Sequence, residues 1–164
     1  MPSFDVVSEP DMHEVSNAFD QALREVRNRY DFQGTEAQLE QNDGGFKLSA
    51  NSEERVKAIY GVLEDKFVKR KISLKFLESK DPEPAGGQSW NLVVSLKKGI
   101  DKDNAKKLVK LIKDDKDLKK VTPSIQGDSV RVTGKKKDDL QAAIAKLRSQ
   151  DDFPLALTYQ NFRD

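Results

Sequence analysis

The chain has 164 residues, 35% of them charged and 36% hydrophobic, with 29 basic side chains, 28 acidic ones and no cysteine. That length carries one domain or two small ones with a real core, and the missing cysteines exclude a disulfide framework, a thiol nucleophile and a zinc–thiolate site. No apolar run approaches the ~20 residues that span a bilayer, and the opening MPSFDVVSEP lacks the basic and apolar regions of a secretory signal, so a cytoplasmic protein with no membrane partner is expected.

In chain order, FDVVSE (4–9) reads as a strand. A helix follows, with Met12, Val15, Phe19, Leu23, Val26 and Tyr30 at helical spacing and Ser8 with Asp11 resembling a capping box. TEAQLEQ (35–41) and FKLSA (46–50) flank NDGG, a sequence that tolerates the positive φ of a hairpin turn. Asn51 and Glu54 then open a helix carrying Val56, Ile59, Tyr60, Leu63 and Phe67, and ISLKFL (72–77) is a further strand. ESKDPEPAGGQS (78–89), with Pro and Gly and no apolar period, reads as a linker or long loop.

The order then repeats. WNLVVSL (90–96) is a strand, and a lysine-faced helix buries Ala105, Leu108, Val109 and Ile112. KKVTPSIQ (119–126) and SVRVTG (129–134) form a hairpin around Gly127-Asp128. A last helix carries Leu140, Ala143, Ile144 and Leu147, and LALTYQNF (155–162) closes as a strand. The halves overlay at an offset of 84 through the second hairpin strand and its helix, with FDVVS on NLVVS at 87. Two βαββαβ rounds predict an α+β fold of two tandem ferredoxin-like, RNP-like units. Each unit is a four-stranded antiparallel sheet with two helices on one face, residues 1–86 forming the first and 87–164 the second. Neighbouring sheets can exchange their terminal strands, so the owner of each is left open.

Reactive constellations are scarce. His13 is the only histidine, DMHEV lacks the second histidine of a zinc helix, and no Walker-type spacing occurs. The adjacent pairs Asp114-Asp115, Asp138-Asp139 and Asp151-Asp152 diverge on a helix and suit helix starts or solvated loops. No catalytic residue, metal or cofactor is therefore expected, and no enzymatic activity. Charge is more telling. Residues 1–86 hold 12 basic against 17 acidic side chains, and residues 87–164 hold 17 against 11. The second half thus faces phosphates, docks on the acidic half, or is simply a solvated lysine surface.

RNP-like sheets read RNA by stacking bases on aromatics of their central strands. Here the open third strands offer Lys47 and Ser49 in one unit and Arg131 and Thr133 in the other, with no aromatic. Phosphate contact survives; base reading is weakened. At the second turn, Gly134 permits a tight strand-to-helix connection, and Lys135, Lys136 and Lys137 stand where the helix dipole favours negative charge. Either they await an anion, or Asp138 and Asp139 satisfy the helix and the lysines are solvated. Trp90, Tyr159 and Phe162 are each open to a packing or a stacking role.

MPSFDVVSE, REVRNRYDF, VKRKI, LKKGID, AKKLVKLIKDDK, IQGDSVRVTGKKKDDLQ and NFRD, in order along the chain, together resemble the YajQ family of small bacterial proteins. The resemblance implies two RNP-like domains and binding of a nucleotide, with ATP, GTP, tRNA and particularly cyclic di-GMP as ligands. It also implies a link to transcription regulation through a partner protein, and no established catalysis. The family commonly has Ser and Arg where this chain has Lys136 and Lys137, which removes a capping hydroxyl and keeps positive charge. The leading expectation is a non-enzymatic cyclic di-GMP effector that acts through a partner such as a transcription regulator. Its nucleotide phosphates would be held by Arg131, Gly134, Lys135 and Lys136, with Arg70, Lys97 and Lys98 near the junction of the halves. The alternatives are an RNA- or tRNA-binding module that contacts phosphates, and a protein-interaction adaptor without a nucleotide.

Overall fold

The computed structural model describes residues 1–164. Nine strands run in the order β1 (Ser3–Val7), β2 (Gln38–Asn42), β3 (Gly45–Ala50), β4 (Leu77–Ser79), β5 (Glu83–Pro84), β6 (Trp90–Leu96), β7 (Val121–Gln126), β8 (Ser129–Gly134) and β9 (Thr158–Arg163). Four helices lie among them: α1 (Met12–Asn28), α2 (Glu53–Lys69), α3 (Lys102–Asp114) and α4 (Lys137–Arg148). The fold is α+β, with two antiparallel sheets ordered β7-β8-β1-β9 and β2-β3-β6-β4, the short β5 pairing with β6.

The compact units do not follow the expected division at residue 86. One comprises Met1–Glu9 with Lys98–Asp164, the other Pro10–Lys97. The strand order explains why: β1 is central in the sheet of β7, β8 and β9, while β6 fills the corresponding place beside β3 and β4. Each sheet thus has the ferredoxin-like order, with its central strand drawn from the other end of the chain's repeat. β1 has both edges paired and all five residues buried. The register also corrects the repeat. Phe4 faces Val132 in one sheet and Leu92 faces Leu48 in the other, so the strands correspond at an offset of 88, not 87. A slip of one would turn Phe4 out of its core.

Within Pro10–Lys97, α1 buries Val15, Ala18, Ala22 and Val26, and α2 buries Val56, Ile59, Val62, Leu63 and Phe67. The helices are also tied by Lys66, 9% exposed, whose Nζ donates to Glu25 Oε1 at 2.9 Å. That bond and the nearby Arg29 outweigh partial burial and hold the Glu25 carboxyl below its usual range. Asp11, not Ser8, caps α1, accepting from the His13 and Glu14 amides. Tyr30 leaves the expected apolar stripe because α1 ends at Asn28, and its ring is 88% exposed. The expected strand 72–77 begins only at Leu77, after a 3₁₀ turn over Leu74–Phe76. The expected loop 78–89 contributes the edge pairings Ser79↔Val94 and Glu83↔Asn91 to β6.

In the other unit, Phe4, Val6, Val130 and Val132 from the sheet pack with Ala105, Leu108 and Ile112 of α3 and Leu140, Ala143, Ile144 and Leu147 of α4. This core fixes the start of α4 against the β8 end of the sheet.

Candidate functional site

The βα turns of the two units are an internal comparison. In one, Ala50 ends β3 and Ser52 caps α2, its Oγ accepting from the Arg55 amide at 3.1 Å. In the other, Gly134 ends β8, and the residue at the N-cap of α4 is Lys136, which makes no side-chain cap. Asp11 and Asp101 cap α1 and α3. The first amides of α4 thus lack the side-chain acceptor that the other three helices have. Gly134 is needed for space rather than for a positive φ: a Cβ there would meet Leu140 Cδ2 and Val121 Cγ1, each at 3.3 Å. Restoring the hydroxyl should stabilise the helix. Lys136→Ser is expected to add about 1 kcal/mol and raise the melting temperature by roughly 2–8 °C, read by thermal unfolding; no rise would mean that these amides are already satisfied.

Beside this turn lies a cavity of about 250 Å³ lined by Ser3, Lys137, Leu140, Gln141, Phe162, Arg163 and Asp164. Its outer wall is built by an irregularity in β9. The β1–β9 pairing shifts register between Ser3 and Asp5, and Asn161 adopts a left-handed backbone (φ 59°), which asparagine tolerates better than most residues. Such a bulge re-aims the side chains that follow it. Asn161 Nδ2 donates to Asp5 Oδ2 at 2.8 Å. Phe162 stacks on the buried Phe4 ring, centroids 5.8 Å apart, and remains 57% exposed. Tyr159 meets the same Phe4 edge-on at 6.0 Å, so two of the three aromatics left open by the sequence differ: Tyr159 packs against the core, and Phe162 stacks on it with much of its ring still exposed.

Electrostatically the cavity mixes two cations with one carboxylate. Lys137 Nζ lies 2.6 Å from Asp164 Oδ1, both side chains being largely exposed. Exposed pairs of this kind are worth little in water, so an anion entering the cavity competes with Asp164 at small cost. Arg163 Nε makes one long contact, 3.4 Å to Asn161 Oδ1.

The expected site residues fall in separate places. Gly134, Lys135 and Lys136 form the turn leading into α4, with both lysines exposed. Arg131 lies on the opposite face of the sheet, where its Nε donates to Asp5 Oδ1 at 3.0 Å, so its charge is already matched. Arg70 ends α2 and lines a different cleft. Lys97 is half-buried with its amide on Phe76 O, and Lys98 is exposed; these two are the last residue of one compact unit and the first of a segment of the other. Ser3, Gln141, Arg163 and Asp164 escaped the sequence reading. Gln141 stands on α4 itself, one turn after Lys137; only the long-range β1–β9 pairing brings Ser3, Arg163 and Asp164 to it, and no local pattern carries that signal.

The open sheet faces carry the polar residues expected of their third strands. Lys47 and Val93 are register partners on one, as are Asp5 and Arg131 on the other, and Trp90 pairs with Ala50 and Pro84 at the end of β6. No helix is long and apolar enough to cross a membrane.

A family profile described as nucleotide-binding protein YajQ-like matches residues 2–163. Among curated proteins, the chain is 51% identical over 164 residues to a nucleotide-binding protein of Thioalkalivibrio sulfidiphilus, covering all of both chains. It is 49% identical over 165 residues to one of Pseudomonas putida, again covering both completely. A nucleotide-binding protein of a Synechococcus strain is 47% identical over 161 residues, 98% of this chain and 97% of its own.

Proposed function

This chain belongs to the YajQ-like family, and from that premise we propose that it is a non-enzymatic nucleotide-binding protein whose ligand docks at the start of α4. The observation that carries this reading is the cavity beside an uncapped, lysine-led helix, with Arg163 and the exposed face of Phe162 in its wall. Free amides at a helix N-terminus favour a phosphate. Lys135, Lys136 and Lys137 add charge, and the Arg163 guanidinium offers a planar fork that suits phosphate oxygens. Drug-sized ligands usually occupy about 300–1,000 Å³, so a 250 Å³ cavity takes a phosphate and its sugar edge. The base then lies on Phe162, where a purine face stacks well.

The ligand proposed is cyclic di-GMP, whose two phosphates and two purines use both cation and ring. The protein would act as its effector in the cytoplasm, passing the signal to a partner such as a transcription regulator. Ligand-bound and free forms must then differ in affinity for that partner, since a ligand shifts an equilibrium only through differential binding. The absence of aromatics from the two open third strands, at Lys47 and Ser49 and at Arg131 and Thr133, favours this reading over an RNA-binding module.

Calorimetric titration with cyclic di-GMP, GTP and ATP tests it. Arg163→Ala, and separately Lys135→Ala with Lys136→Ala, are each expected to weaken binding by about tenfold or more, the size of one charge-assisted hydrogen bond. The paired lysine substitution should leave the melting temperature nearly unchanged. Absence of heat with every nucleotide at millimolar concentration would remove the proposal and leave an adaptor without a nucleotide. Unaltered binding in both variants would move the site elsewhere.

A further inference from the structure

The second cleft, of about 430 Å³, lies at the C-terminal end of α2 and is lined by Glu14, Gln21, Lys69, Arg70 and Lys71. Cations in a last helical turn complement the dipole, which accounts for Lys66 and Lys69. It does not account for Lys71. The Lys71 amide donates to Val68 O at 3.0 Å and the Ile72 amide to Phe67 O at 2.9 Å, the paired bonds of a Schellman ending. Lys71 is its left-handed residue, with φ 61°. Glycine is the usual occupant there, because a side chain in that conformation is strained. Strain retained at a cleft points to a use for the side chain.

The neighbouring charges are unevenly matched. Lys69 is paired with Asp65 at 3.3 Å. Arg70 Nη1 is 3.6 Å from Glu14 Oε2, an ionic contact too long to be a hydrogen bond, so the guanidinium fork keeps its donors. Lys71 has no ion pair. Three carbonyls of this helix end accept bonds from the chain rather than facing the cleft unpaired: Phe67 O and Val68 O from the amides above, and Lys66 O from the Arg70 amide at 3.1 Å.

We propose that this cleft is a second anion site, taking two linked phosphates on Arg70 and Lys71. Arg70 would bind one phosphate through its fork, and Lys71 would supply a point charge to the next. The linked phosphates come either from a nucleoside diphosphate or from a nucleic-acid backbone. This inference is independent of the α4 reading, since every lining residue belongs to Pro10–Lys97.

The test is amide chemical-shift mapping on the full-length protein with inorganic pyrophosphate as probe. Shifts are expected at Lys69 through Ile72 and at Glu14. Arg70→Gln should weaken binding there by about tenfold. Lys71→Gly is the decisive variant: it should raise the melting temperature by relieving strain and weaken pyrophosphate binding at the same time. A purely structural Lys71 would give the first effect without the second, and that result would overturn the proposal. Pyrophosphate shifts confined to the start of α4 would overturn it too. The same mapping with GDP and with a single-stranded oligothymidylate assigns the source, since a shift at Arg70 with either one supports the site and with neither removes it. Arg163→Ala should leave these shifts intact, so failure of one site is distinguishable from failure of the other.

Discussion

Replacing Phe46 by alanine should cost the Pro10–Lys97 unit about 3–5 kcal/mol, the usual toll for a buried phenylalanine. The ring is fully buried in β3, lies nearly parallel to Phe19 at 6.0 Å and meets Phe67 of α2 edge-on at 6.1 Å. It therefore links α1, β3 and α2 in one contact set. Truncation removes its transfer free energy, leaves a cavity the two flanking rings cannot collapse into, and forfeits aromatic pairing. Against a whole-domain stability of roughly 5–15 kcal/mol, that loss brings the unit close to unfolding. The only tryptophan, Trp90, lies in the same unit, so its fluorescence in a urea titration reports this unit directly. The midpoint should fall sharply for Phe46→Ala and less for Phe46→Leu, which fills more of the space. A loss below about 1 kcal/mol would contradict a close-packed ring cluster here.

Fold class was legible because the evidence for it is local. Apolar residues recur at helical spacing in α2, α3 and α4, and alternation in FKLSA and SVRVTG marks the hairpin strands. The owner of β1 and β6 was not legible, for a physical reason. Asp5 and Val93 hold equivalent places, opposite Arg131 and Lys47. In a tandem arrangement Asp5 would have met Lys47, an equally acceptable cation, so nearest-neighbour charge does not decide between the two. The partner that does distinguish them is Asn161, which reaches Asp5 only through the β9 irregularity. Bulges of this kind leave little trace in composition. The candidate site was half legible on the same grounds. Contiguous residues gave the lysine turn, whereas Phe162, Arg163 and Ser3 arrive by pairing across more than 150 positions.

That same carboxylate should make stability and ligand binding respond together. Asp5 is 7% exposed and accepts from Arg131 Nε and Asn161 Nδ2. Burial pushes its pKa up, but the two hydrogen bonds and the charges of Arg131 and Arg163 outweigh that and hold it below the ordinary carboxylate value. A depressed folded-state pKa stabilises the fold fully above the unfolded value, near pH 3.9, and the contribution is lost as pH falls through the folded value. Asp5→Ala is therefore expected to destabilise the unit by about 1–3 kcal/mol at neutral pH, by stranding donors that had a charged acceptor. The gap from the unsubstituted protein should close as pH drops below 4, because protonation removes the same anion there. Asn161 would also lose the contact that pins the bulge, so Phe162 and Arg163 should be less well held and nucleotide affinity should fall although Asp5 lines no part of the cavity. Asp5→Asn keeps an acceptor without the charge and is expected to fall between the two. A stability gap that stays constant from pH 7 to pH 3 would show that the carboxylate's charge plays no part, and unchanged affinity in Asp5→Ala would detach the bulge from the site.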